Sequence, residues 1–131
     1  MSANIGVQKD GEESSGKSSK DVVLAFVDAL NRADFQAARK CATDDLKFVG
    51  VLGSREGADA YFRDMERMRL KYDVKKALAE GDDVCLFYDI AMANVTVFCA
   101  GWYRLSQGKI QSSRVVFDPR PLLEAKEKTN Q

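Results

Sequence analysis

Residues Val84 to Met92 read VCLFYDIAM: eight apolar or aromatic side chains around a single aspartate, Asp89. The run follows the turn residues Glu80-Gly81-Asp82-Asp83, and Val84 to Ala93 reads as a strand. On the two-residue period of a strand, Cys85, Phe87, Asp89 and Ala91 share one face, and Leu86, Tyr88, Ile90 and Met92 share the other. Both faces are apolar, so both need cover. A lone carboxylate in such a run is costly to bury unless it is paired or keeps its proton. Asp89 is therefore the residue to explain.

Working outward, Tyr72 to Ala79 reads as a preceding strand, and Val95 to Leu105 as a following one rich in β-branched and aromatic residues. Ser106-Gln107-Gly108-Lys109 makes the next turn. Ile110 to Asp118 is the last strand, closed by Pro119 and Pro121, which cannot continue a ladder. Upstream, Ser18 with Asp21 predicts a helix cap. Val22, Val23, Phe26, Val27 and Leu30 at helical spacing then predict a helix over Ser19 to Asn31. A short helix follows from Asp34, a strand over Leu46 to Leu52 broken by Gly53 and Ser54, and a helix from about Glu56 to Leu70. Helices followed by an antiparallel meander define an α+β domain with helices on one face of a curved sheet. The second sheet face has no element left to cover it, so a homodimer through the outer sheet face is expected, with Trp102 as an anchor; the alternative is that the tail or the curvature of the strands hides this face. The predicted domain is 18–123, between a disordered arm at 1–17 and a flexible tail at 124–131.

Composition excludes several classes. Twenty basic and twenty acidic residues cancel, leaving no electrostatic footprint for nucleic acid or an anionic membrane. No segment approaches the ~20 apolar residues of a membrane span. The first twenty residues lack an apolar run, so no secretory signal is expected. Three cysteines, Cys41, Cys85 and Cys99, form no ligand spacing, and a reduced, cytoplasmic protein is the simplest reading. Histidine is absent, which removes Ser-His-Asp and Cys-His nucleophiles and histidine metal sites. No metal or cofactor is expected, and proton transfer would fall to Asp, Glu, Tyr, Lys or Cys.

The segments FVDALNRADFQAARKCATDDLKF, EGDDVCLFYDIAM, GWYRLSQGKI and VVFDPRPLL, in this order and spacing, resemble the NTF2-like superfamily. Within it they are most similar to the SnoaL-like and ketosteroid-isomerase-like proteins. The resemblance covers about Val22 to Leu123. It implies a conical sheet wrapped around a long helix, an apolar pocket at the open end, and frequent dimers. It does not carry catalytic residues across. The isomerase positions for a tyrosine and two acids fall near Phe26, Gly50 and Gly101. The cyclase positions fall in Gln111-Ser112-Ser113-Arg114-Val115, without acid or histidine. Scytalone-dehydratase-like chemistry needs the missing histidines. Limonene-epoxide-hydrolase-like sites need two aspartates and an arginine, which Asp89 with Arg104 or Arg114 mimics only in part.

The same resemblance turns Phe87, Asp89 and Ala91 inward, with Val97, Cys99, Gly101 and Tyr103 on the next strand and Gln111, Ser113, Val115 and Phe117 on the last. The substrate-binding candidates are then Phe26, Phe48, Tyr61, Met65, Phe87, Cys99, Gln111, Ser113 and Phe117. Asp89 and Tyr103 are the catalytic candidates. In such a chamber desolvation raises a carboxylate's pKa, so Asp89 beside a phenol suits cofactor-free proton transfer of an isomerase, hydratase or cyclase kind on a small apolar molecule. Two alternatives stand beside it. Asp89 can be a purely structural partner of Tyr103, an amide or an arginine, and the domain can be a non-catalytic ligand-binding or protein-interaction module of the transport-factor type. Asp118, before Pro119, reads as an Asx-turn residue. Lys75-Lys76 reads as a protected strand edge.

Overall fold

The computed structural model describes residues 18–92 and 94–130, with side chains described as far as residue 125. The arm expected at 1–17 lies outside the described residues. Helix α1 spans Ser19–Asn31, and its N-cap Ser18 accepts the Asp21 N–H at 3.1 Å. Helix α2, Phe35–Lys40, is capped by the Asp34 carboxylate on the Ala37 amide. Both caps satisfy amides that a helix start leaves without partners. Strand β1 is Ala42–Val49, β2 is Ser54–Glu56 and helix α3 is Ala58–Met68. Strands β3 (Lys71–Glu80), β4 (Asp83–Met92), β5 (Val95–Ser106) and β6 (Lys109–Phe117) follow, then helix α4, Arg120–Asn130.

The six strands form one curved, unclosed sheet in the order β2-β1-β6-β5-β4-β3. The meander from β3 to β6 is antiparallel as expected, but β1 runs parallel to β6, so the sheet is mixed. Strand β1 also begins four residues before the predicted start, because Ala42 pairs with Ile110 and the Ile110 amide donates to the Cys41 carbonyl at 2.8 Å. It stops at Val49, where the Gly50 amide closes a tight loop on the Gly53 carbonyl at 2.8 Å and Ser54–Glu56 returns alongside it.

Helix α1 lies across β3, β4 and β6, while α3 lies against β1. The apolar stripe of α1 (Val23, Phe26, Val27 and Leu30) meets Tyr61 and Phe62 of α3 and the inner residues Val84, Leu86 and Tyr88 of β4 in one core. Phe26 is its hub, with ring centroids 6.4 Å from Tyr61, 6.1 Å from Phe62 and 6.3 Å from Tyr103. The Asn31 side chain fastens the end of α1 to β3, accepting the Tyr72 amide at 2.7 Å and donating to the Tyr72 carbonyl at 2.9 Å. Residues 124–130, within the segment expected as a flexible tail, belong to helix α4. Its start is organised by Asp118, whose carboxylate accepts the Arg120 amide at 3.0 Å and pairs with the Arg120 guanidinium. Leu122 then packs against the core.

Among the described residues, no element covers the outer sheet face. Phe98, Trp102 and Val116 are exposed there, and Phe87 stacks on Phe98 at 6.4 Å with the rings nearly parallel. Among the described residues, no helix is long and apolar enough to cross a membrane.

Candidate functional site

Between α3, the concave face of the sheet and the start of α4 lies a cavity of about 190 Å³. Its wall takes Val97, Cys99 and Tyr103 from β5, Ser113, Val115 and Phe117 from β6, Tyr88, Ile90 and Met92 from β4, and Tyr61 and Met65 from α3. Phe48, Leu70, Tyr72 and Leu122 also line it. The rim is more open: Val51 and Leu52 of the Gly50–Gly53 loop and Met68 at the end of α3 are all exposed.

Alternation along β5 puts Val97, Cys99, Gly101 and Tyr103 on the concave face, the parity expected. Along β4 the expected parity is reversed. Tyr88 is 1% exposed and Leu86 is fully buried, whereas Phe87, Asp89 and Ala91 lie on the convex face. Hairpin geometry supplies the reason. Met92 pairs with Val95 across a two-residue connection, so even positions on β4 face odd positions on β5: Tyr88 opposes Cys99 and Asp89 opposes Phe98. Asn94, at φ 68, takes the left-handed conformation such a connection demands. Asp89 thus points away from the cavity, about a third exposed, with Lys75 Nζ at 3.8 Å. Lys75 reaches it because β3 bulges between Val74 and Lys76. Phe87 shares this outer face.

Two other candidates also sit elsewhere. Gln111 is exposed, 3.5 Å from the Asp45 carboxylate. The β5–β6 register steps from Arg104–Ser112 to Leu105–Ile110, skipping Gln111, and such a bulge breaks the alternation. Phe26 lies in the core behind Tyr61 and Tyr103, outside the residues that line the cavity. Phe48, Tyr61, Met65, Cys99, Tyr103, Ser113 and Phe117 come together in the wall. Sequence reading missed Tyr72 and Tyr88, although the hairpin's length carries the signal for Tyr88.

The polar groups of the wall are neutral. Burial pushes the phenols of Tyr61, Tyr72, Tyr88 and Tyr103 far above the ordinary tyrosine value. The rings of Tyr72 and Tyr88 lie 5.2 Å apart. The Tyr103 ring lies along its own strand over Gly101, where an added Cβ would stand 3.1 Å from the ring and 3.3 Å from its hydroxyl. Glycine is the residue that leaves room for it. Burial, with the charge of Asp89 adding, pushes the Cys99 thiol up to about 11. Charge appears only at the rim among the lining residues. There Asp64 is held by Arg55 at 2.7 Å and Arg67 at 2.9 Å. No group of three or more Cys, Asp or Glu side chains placed to hold a metal ion occurs among the described residues.

The SnoaL-like domain model matches residues 23–113, from α1 into β6. The chain belongs to the SnoaL-like domain family. A similar solved structure is an NTF2-like protein of unknown function from Cytophaga hutchinsonii, 45% identical, with 84% of this chain and 99% of that chain covered and a TM-score of 0.81. An LEH-like epoxide hydrolase from M. tuberculosis is 22% identical over 84% of this chain and 90% of its own, with a TM-score of 0.69. A de novo designed protein with a curved β-sheet is 16% identical over 86% and 94%, also with a TM-score of 0.69. The last two share the fold alone, and one of them is a design, so a SnoaL-like cone does not by itself specify a reaction. None of the curated proteins matches the sequence.

Proposed function

We propose that this SnoaL-like domain binds a small, uncharged, largely apolar molecule in the cone cavity and does so as a non-catalytic module. The observation that carries the reading is the wall itself. It is aliphatic and aromatic, its polar groups keep their protons at neutral pH, and the one carboxylate among its lining residues, Asp64, is committed to two arginines. Proton abstraction needs a base within hydrogen-bond reach of the ligand. Asp89 was the expected base, and it faces the other side of the sheet. A cavity of 190 Å³ is comparable to apolar cavities of roughly 150 Å³ that accept benzene, so the fit is a single ring with a short substituent. The exposed Phe98, Trp102 and Val116 support a second copy of the chain on the outer face, remote from the cavity.

Titration of labelled protein with acetophenone, followed by NMR, tests this. Saturable shifts at Val97, Cys99, Val115 and Ile90 are expected. Val97→Phe, which fills the cavity at a cost of about 1–3 kcal/mol in stability, should abolish them. Shifts confined to the outer face, or binding that survives the filled cavity, would overturn the reading.

A further inference from the structure

Ser113 is out of character with its surroundings. It is 5% exposed, sits on the concave face of β6 between Tyr103 of β5 and Phe48 of β1, and lines the cavity. Among the described residues its hydroxyl has no hydrogen-bond partner. A buried hydroxyl without a partner is destabilising, and an alanine would fill nearly the same space without that cost. Solvent can serve the hydroxyl in the unliganded protein, but the group is placed where a cavity occupant meets it.

The neighbouring phenols point to the chemistry of that occupant. Each hydroxyl has one proton to donate. The phenols of Tyr61, Tyr72, Tyr88 and Tyr103 line the same cavity, and Ser113 adds a fifth hydroxyl. Buried donors without acceptors are rarer in proteins than acceptors without donors. The wall is thus rich in protons that a ligand's acceptor would take up, and the one cation among its lining residues, Arg55, is paired with Asp64 at the rim.

We propose that Ser113 is the polar subsite of the cavity, donating to an acceptor oxygen of the carbonyl type on an otherwise apolar ligand. This rests on the cavity binding a small molecule, as argued above, and names the class of molecule. The ring of the ligand would lie against Val97, Val115 and Phe117, and its oxygen on the sheet at position 113.

Two probes of nearly the same shape separate the subsite from the cavity: acetophenone, and α-methylstyrene, in which a CH₂ replaces the carbonyl oxygen. Wild type and Ser113→Ala are titrated with each. The substitution should weaken acetophenone about five-fold, the scale of one hydrogen bond, and leave α-methylstyrene unchanged. Without ligand, Ser113→Ala should melt at the same temperature as wild type or higher, since it removes an unpaired group. An equal effect on both probes, or none on the ketone, overturns the subsite while leaving the cavity reading intact. So does a clear loss of stability in the unliganded variant, which would reveal a protein partner for the hydroxyl. If neither probe binds wild type, the cavity reading falls and the subsite with it.

Discussion

Adjacent positions on β4 offer the sharpest check on which side of the sheet is the inside. Tyr88 is 1% exposed and its ring lies 5.2 Å from that of Tyr72. Asp89 is about a third exposed and meets Lys75 at 3.8 Å. Truncating a buried aromatic to alanine removes its transfer free energy and leaves a hole, about 3–5 kcal/mol in total. Tyr88→Ala should therefore consume a large share of the roughly 5–15 kcal/mol that holds a domain of this size together. Asp89→Ala removes a long, solvent-screened ion pair of a kind worth about 0–1 kcal/mol. At about 4 °C per kcal/mol, the first variant should melt at least ~12 °C below wild type and the second within ~4 °C. Thermal melts followed by circular dichroism measure both, and urea unfolding with an unchanged dependence on denaturant would show that the unfolded states are comparable. A reversed order, or equal losses, would mean that the β4–β5 register is off by one residue. The cavity built from Tyr88, Ile90 and Met92 would then not exist.

Two further expectations follow from the charges and thiols. Burial pushes the Asp64 carboxyl up, but Arg67 and Arg55 outweigh it and hold it below the ordinary carboxylate range. Stability from this cluster is complete above the unfolded carboxyl's value of about 4 and is lost as the pH falls through the lower folded value. Melting curves from neutral to acid pH should fall less steeply at the acid end for Asp64→Asn than for wild type, and superimposable acid limbs would refute the assignment. At about pH 8, a thiol at about 11 is only about one part in a thousand thiolate. Iodoacetamide labelling read by mass spectrometry should therefore spare Cys99 until the protein unfolds. Cys85, half-buried on the outer face, should label more slowly as protein concentration rises and a second copy covers it. Prompt labelling of Cys99, or concentration-independent labelling of Cys85, would count against the buried wall or the paired face respectively.

What could be read from the sequence divides along a physical line. Helix α1 was legible to the residue because its cap, its apolar stripe and its end are all local, and the four long strands were legible because Gly81 and Gly108 mark their turns. The side of β4 that faces inward is not local to β4. Its two alternations are equally apolar, so VCLFYDIAM alone cannot choose between them. The choice comes from the pairing of Met92 with Val95, which sets Tyr88 opposite Cys99. Reading β5 inward through Cys99 therefore required Tyr88, not Asp89, to face the cavity. Gln111 failed for a related reason, since a bulge shifts the register by one residue without leaving a compositional mark. Helix α4 was hidden because its sequence is mostly charged, with no apolar residue after Ala125, and its start depends on Asp118 gripping Arg120 across Pro119. Ser113 shows the opposite limit. Its place in the wall was readable from alternation along β6, but the lack of a partner for its hydroxyl depends on where every neighbouring side chain comes to rest. A missing bond of that kind is invisible in sequence, and here it is the feature that separates a merely greasy hollow from one suited to a particular oxygen.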